Sequence, residues 1–182
     1  MSVEPYQWII FNNAKLGINQ EDSQPASIDL ELGDNIKILR ITFNPFKLIK
    51  LLYYYLKGKK IEDISKYIVK KEKTMQDGDI LVCLPLHLYI MHTDEYLKIP
   101  ETHGALLCMK SSMGRMGFSH NMAGWFDPGF EGQGVLEITT VLPGLLVFRK
   151  KIAQLIYLRL TQKTDKPYKG KYSKQKGAQE AL

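Results

Sequence analysis

Two neighbouring stretches hold most of the side chains able to do chemistry. KSSMGR, residues 110–115, sets Lys110, Ser111, Ser112 and Arg115 within six positions. Hydroxyls, turn N–H groups, an ammonium and a guanidinium in so short a span can cradle a polyphosphate. The same composition also suits an ordinary capped turn. AGWFDPGFEGQGVLE, residues 123–137, adds Asp127, Glu131 and Glu137. Asp127 before Pro128-Gly129 is a natural turn opener, and the whole stretch reads as a hairpin with GVLEITT as its second arm. In that arm Glu137 alternates with Leu136 and Ile138, so it faces away from both. Spacing leaves two readings open. Glu137 either meets solvent or, where its face lines a cleft, is a general acid or base on a rigid strand.

Other catalytic kits are missing from the sequence. There is no His-x-Glu with a Pro-Cys-x-x-Cys, as a zinc deaminase needs. A dinucleotide-binding GxGxxG, a Walker P-loop and a GxSxG elbow are absent too. His87, His92, His103 and His120 are scattered without ligand spacing, which favours surface or core roles. Two cysteines, Cys83 and Cys108, build neither a disulfide framework nor a four-ligand zinc site. Reduced thiols and the lack of a signal-peptide pattern at the N-terminus lead to the expectation of a cytoplasmic protein.

The elements that must position these residues show in the periodicity. Residues 5–16 have the texture of a short helix. In QPASIDLELGDN, Ile28, Leu30 and Leu32 alternate up to Gly33-Asp34, which predicts a strand closed by a turn. Residues 45–71 are ambiguous. Leu48, Leu51, Leu52 and Tyr55 have helical spacing, while the tyrosine run favours a strand, and the lysines read as a solvated face. From residue 77 on, short apolar runs punctuated by Gly, Pro and Asp predict an antiparallel sandwich or barrel. The 182 residues suit one domain. No apolar run is long enough to span a membrane. Between Arg149 and Leu182, ten Lys/Arg stand against two acids, so an anionic partner or a solvated tail is expected there.

Taken together and in order, QPASIDLELG, KSSMGRMG, AGWFDPGFEGQGVLE, KIAQL and PYKGKYSKQKG resemble the dCTP deaminase branch of the dUTPase superfamily. The resemblance runs from about residue 5 to the end and is weakest over 38–76. It implies a mainly β fold, a distorted, jelly-roll-like β-barrel with a few short helices, in one domain over 1–182. Residues 165–182 would be a mobile tail closing over nucleotide. It further implies a homotrimer with active sites between subunits, zinc-free deamination of dCTP, and Mg2+ arriving with the triphosphate. Some members of the family go on to release dUMP. The Ala123-Gly124 pair ahead of Asp127 resembles that bifunctional type. Neither nucleic acid nor a membrane is expected as a partner.

By position, Glu137 matches the family's proton-shuttling glutamate, and Ser111 and Arg115 match residues around the attacking water and the base. Lys110, Ser111, Ser112, Met113, Gly114 and Arg115 fall in the phosphate-contacting turn. Asp127 matches a residue beside the deoxyribose that positions a hydrolytic water in dUTPases and bifunctional members. The backbone of Val135 and Leu136 would read the base edge. Gln154, Tyr168, Lys171 and Gln175 match nucleotide contacts in and near the tail. Glu131 matches no role and reads as a solvated turn residue.

The physics suits these assignments. Without a metal to acidify water, a base must be held against it, and a carboxylate donates protons better at neutral pH when burial raises its pKa. Trp125, Phe126 and Phe130 are the rings nearest in sequence, as pocket wall or as plain core. Two departures stand out. Lys110 replaces the usual arginine and loses the bidentate fork, and Thr140 stands where asparagine is common. The alternatives are a dUTP diphosphatase without deaminase activity and a non-catalytic nucleotide-binding regulator on the same fold.

Overall fold

The computed structural model describes residues 2–41, 44–58, 67–121 and 123–179. Parts of two sequence expectations, residues 59–66 of the 45–71 segment and 180–182 of the tail, lie outside the described residues.

Twelve strands and three α-helices are described. After β1 (Ser2–Val3) comes α1 (Tyr6–Leu16), then β2 (Ile28–Glu31) and β3 (Asn35–Ile41). Helix α2 (Pro45–Leu56) precedes β4 (Ile68–Thr74), β5 (Ile80–Cys83), β6 (His87–Lys98) and β7 (His103–Met109). Helix α3 (Ser111–Arg115) leads to β8 (Phe118–His120), β9 (Trp125–Phe126), β10 (Glu131–Thr140), β11 (Gly144–Val147) and β12 (Lys151–Arg159).

Every strand pair is antiparallel. One sheet runs β4-β3-β6-β10-β8. A second runs β1-β12-β7-β9, with β2 pairing β12 beside β1, and β5 and β11 form a separate ribbon. The mainly β expectation holds, and the chain forms a distorted arrangement of sheets around one large apolar core. Ile28, Leu30, Leu32, Met91, Leu136, Ile138, Leu155 and Tyr157 are fully buried in that core.

Local causes explain the helices. Helix α1 buries Ile9 and Leu16, seven apart on one face, and ends at Gly17, whose φ of 76° needs a residue tolerant of the left-handed region. Helix α2 settles the ambiguous segment in favour of helix, at least over residues 45–56. Asn44 caps it, its side chain accepting from the N–H groups of Phe46 and Lys47 at 3.0 and 3.3 Å, and Pro45 sits at the first helical position.

Buried charge ties β1 to the second sheet. The Glu4 carboxylate meets His103 Nε2 at 3.0 Å and Arg159 Nε at 2.6 Å, and Trp8 packs on the His103 ring at 4.5 Å between centroids. Removing one partner would leave the Glu4 carboxylate buried with less compensation, which is where the cost of such a cluster falls.

Two expectations need correction. The stretch 123–137 is not a hairpin. β9 pairs with β7 in one sheet, and β10 pairs with β6 and β8 in the other. The turn at Asp127–Phe130 therefore carries the chain between sheets, anchored by Gly129 N–H to Ile99 O at 3.0 Å. KSSMGR is a short helix rather than a bare turn, because Met113 drops into the core and winds Ser111–Arg115 around it. The tail needs no apolar period to be placed. Tyr168 and Tyr172 pack against the core, and backbone hydrogen bonds lay Lys174 and Gln175 along the start of β10.

Candidate functional site

Strand β10 shows why Glu137 stands apart from its neighbours. Burial alternates without a break from Glu131 to Thr140, so Leu136 and Ile138 fill the core while Glu137 points the other way. What lies there is a cavity of about 420 Å³, within the range of small-molecule sites. Its walls come from all sides of the fold. β3 and β6 give Leu39, Leu88 and Ile90, β9 gives Trp125 and Phe126, and β10 gives Val135 and Glu137. Asp127 and Phe130 come from the turn, and Tyr168, Tyr172, Gln175 and Gln179 from the tail. Trp125, Phe126 and Phe130 are all lining residues, with Phe126 and Phe130 in contact at 4.7 Å between ring centroids.

The two carboxylates of the cavity sit in different surroundings. Asp127 is exposed and accepts from Trp125 Nε1 at 3.0 Å, so the indole orients it. The Glu137 side chain is 31% exposed, with one oxygen turned inward. That oxygen, Oε2, faces His120 Nε2 at 3.4 Å. Both atoms are buried, and neither makes a hydrogen bond among the described residues. The contact follows from register. β8 pairs with β10 so that His120 lies beside Ile138, and Asn121 N–H donates to Glu137 O at 2.9 Å.

His120 was hidden among four scattered histidines. The other three have structural partners: His92 with Thr93 O and Asp34, His103 with Glu4, and His87 with Pro85 O. No local pattern separates FSH from them. Only the pairing of a three-residue strand across the sheet does.

Five of the residues singled out by sequence meet at this cavity: Asp127, Val135, Glu137, Tyr168 and Gln175. The others do not line it within one chain. Ser111, Ser112, Gly114 and Arg115 are exposed on α3, and Met113 is fully buried beneath it. The Lys110 ammonium is held by the buried carboxylate of Asp29. Gln154 sits on β12 between Asp29 and Cys108, and Lys171 stacks over the Tyr172 ring at 5.4 Å. Leu136 has its side chain in the core. Thr140 is buried and donates to Gly117 O at 3.2 Å, joining β10 to the turn after α3. Glu131 meets Lys98 at 3.7 Å.

The tail lies along one wall of the cavity. Lys174 N–H donates to Glu131 O at 2.6 Å and Gln133 N–H to Gln175 O at 3.0 Å. Gln175 Nε2 donates to Gln133 O at 2.8 Å, and Gly177 N–H to Gln133 Oε1 at 2.7 Å. Ala178 then packs with Leu39, Ile90 and Val135. Among the described residues no cluster of three or more His, Cys, Asp or Glu side chains is placed to hold a metal ion. Both cysteines are free thiols, and burial pushes Cys83 up to about 12.

Comparison with known proteins gives this site a family. The model of dCTP deaminase-like domains matches residues 13–160. A relative from Methanobrevibacter smithii, named dCTP deaminase, dUMP-forming, is 32% identical over 165 residues, covering 86% of this chain and 79% of its own. A relative of the same name from Nanoarchaeum equitans is 36% identical over 167 residues, covering 87% and 83%. Among solved structures, a 2'-deoxycytidine 5'-triphosphate deaminase from Agrobacterium tumefaciens is similar with a TM-score of 0.59 at 22% identity. That match covers 85% of this chain but 47% of the other, so the chain spans about half of that protein's length and the likeness concerns the fold alone. With its family model matched across most of its length, the chain belongs to the dCTP deaminase-like family.

Proposed function

We propose that the protein deaminates dCTP and then cleaves the triphosphate, releasing ammonia, pyrophosphate and dUMP. The observation that carries this reading is Glu137, fixed on strand β10 at the wall of an apolar cavity, with a second carboxylate, Asp127, on the adjoining turn. The name shared by the M. smithii and N. equitans relatives supports the dUMP-forming outcome.

The chemistry follows from what the residues can hold. Cytosine sits against Val135 and the aromatic wall, with its C4 toward Glu137. Glu137 takes a proton from a water as the oxygen adds to C4, and passes that proton to N3. Glu137 then moves the proton of the new C4 hydroxyl to the amino group, the C4–N bond breaks to release ammonia, and a C4 carbonyl remains. His120 stands behind the carboxylate and restrains it. Asp127, oriented by the Trp125 indole, positions a second water for attack at the α-phosphorus, and pyrophosphate leaves. Magnesium enters with the triphosphate as part of the substrate.

Ser111 and Arg115, assigned to the water, the base and the phosphates, stand outside the cavity of their own chain. We therefore take the active form to be a homotrimer in which α3 of a neighbouring subunit completes each site. The apolar outer face of the β5–β11 ribbon supports such an assembly, with Ile80, Val82 and Leu145 more than half exposed in the single chain.

Incubation with dCTP, dUTP or a 5-substituted dCTP plus Mg2+, following ammonia and pyrophosphate separately, tests the reading. Both products from dCTP are expected. Ammonia alone reduces the activity to simple deamination. Pyrophosphate from dUTP, with no ammonia from dCTP or its analogue, identifies a dUTP diphosphatase and sinks the proposal.

A further inference from the structure

Helix α2 is the part of the fold that neither the core nor the cavity uses. None of its residues is buried, and none belongs to a core cluster. Its least exposed positions are Leu48, Leu51 and Tyr54, a stripe with helical spacing, with Tyr55 between them 78% exposed. The opposite side carries Phe46, Ile49, Leu52, Tyr53 and Leu56, at i, i+3, i+6, i+7 and i+10. Phe46 is 81% exposed and Leu56 is 71% exposed. Isolated exposed apolar residues need no explanation, but a continuous stripe of five on one helix does.

Charge identifies the partner. Residues 41–60 contain five lysines and no acid. Lys50 and Lys57 follow the apolar stripe around the helix, on the side of Phe46 and Tyr53. Pairing α2 with α2 of a second copy would bring lysines against lysines without a carboxylate to offset them. An anionic lipid surface meets both halves of the pattern. Its acyl boundary takes the apolar stripe, its headgroups take the ammonium groups, and the lysine stems snorkel between the two.

We propose that α2 is an interfacial helix that docks the protein on anionic membranes. The inference is independent of the reaction at the cavity. It goes beyond the sequence pattern, in which the lysines read as a solvated face and no membrane partner is expected.

Co-sedimentation of the full chain with vesicles tests it. The protein should bind phosphatidylglycerol/phosphatidylcholine vesicles and not pure phosphatidylcholine, and raised salt should weaken binding. Ile49→Ser/Leu52→Ser/Leu56→Ser keeps every charge and should lower partitioning at least about tenfold. Lys50→Gln/Lys57→Gln should lower it by about thirtyfold on the anionic vesicles. Circular dichroism and the unfolding midpoint should stay at wild-type values in both variants, since neither changes the core. Failure of the wild type to bind anionic vesicles overturns the proposal. So does wild-type binding by the serine variant, which would assign the affinity to the basic tail. Protection of the Tyr53 and Tyr55 rings from hydroxyl-radical footprinting without vesicles also overturns it, because a second copy of the chain then covers the face.

Discussion

Gln133 and Gln175 make the closure of the tail measurable. Gln133 receives Gly177 N–H on its side-chain oxygen, and its backbone oxygen receives the Gln175 amide. Gln133→Ala removes the first bond and Gln175→Ala removes the second. A neutral hydrogen bond contributes about 1 kcal/mol net, so each substitution should raise the open population of the tail about fivefold. Both together should raise it about thirtyfold if the bonds act independently. Tyr168 and Tyr172 stay packed in every variant, so opening should begin after Tyr172. Hydrogen exchange by mass spectrometry reads this directly. Amides of 174–177 should exchange faster by these factors while β6 and β12 keep wild-type protection. If the tail closes over the nucleotide, the same substitutions should raise KM for dCTP in steady state more than they lower kcat. Unchanged exchange at 174–177 would refute the reasoning. Equal loss of protection in β6 would refute it too, since the two glutamines would then be holding the whole fold.

Other perturbations test other parts of the site. Glu137→Gln should lower ammonia release from dCTP by at least about a hundredfold with nucleotide binding by calorimetry nearly unchanged; deamination at the wild-type rate removes Glu137 from its role. His120→Phe keeps a ring and loses the polar nitrogen facing Glu137, so kcat should fall about tenfold or more at similar KM, and a wild-type kcat would show the contact to be idle. Gly104→Ala places a Cβ 2.3 Å from Trp125 Cη2, forcing the indole off Asp127. Tryptophan emission should shift, and pyrophosphate release should fall more than ammonia release; equal losses would contradict the division of labour between the two carboxylates.

Burial raises the Glu95 carboxyl from 4.5 to about 7, with Glu31 and Asp22 adding to the effect. The folded state therefore holds this proton more tightly than the unfolded chain. Its contribution to stability is full below about pH 4.5 and is lost as pH rises through about 7, about 3 kcal/mol in all. Urea midpoints at pH 5 and pH 8 should differ less in Glu95→Gln than in wild type, and an unchanged difference would show that another group titrates.

What the sequence revealed and what it hid divide along the range of the interactions. Period-two alternation placed Glu137 opposite Leu136 and Ile138, because that geometry is local to one strand. Helix α1 was legible for the same reason, and Asn44-Pro45 carried a start signal for α2 that the tyrosine run obscured. Pairing partners are not local. Nothing within AGWFDPGFEGQGVLE shows that its two arms join different sheets, and nothing within FSH shows that its histidine meets Glu137. The tail escaped because backbone bonds and two tyrosines hold it, and neither leaves an apolar period. In the proposed trimer, the role of α3 depends on a surface beyond one chain.

The irregularity in the β6–β10 pairing constrains how this protein can evolve. Gln133 lies opposite Tyr96 and Val135 opposite His92, so β6 advances four residues while β10 advances two. The surplus on β6 is even, and Gly134 N–H is taken by the Thr93 hydroxyl at 2.9 Å instead of the ladder. Even surpluses preserve which face a side chain serves, and odd ones exchange the faces. Length changes of two residues in β6 can therefore accumulate without cost to the chemistry. A single-residue insertion in β10 between Gln133 and Glu137 would carry the carboxylate into the core and Leu136 into the cavity. Such insertions should be absent from functional libraries even where the fold survives them.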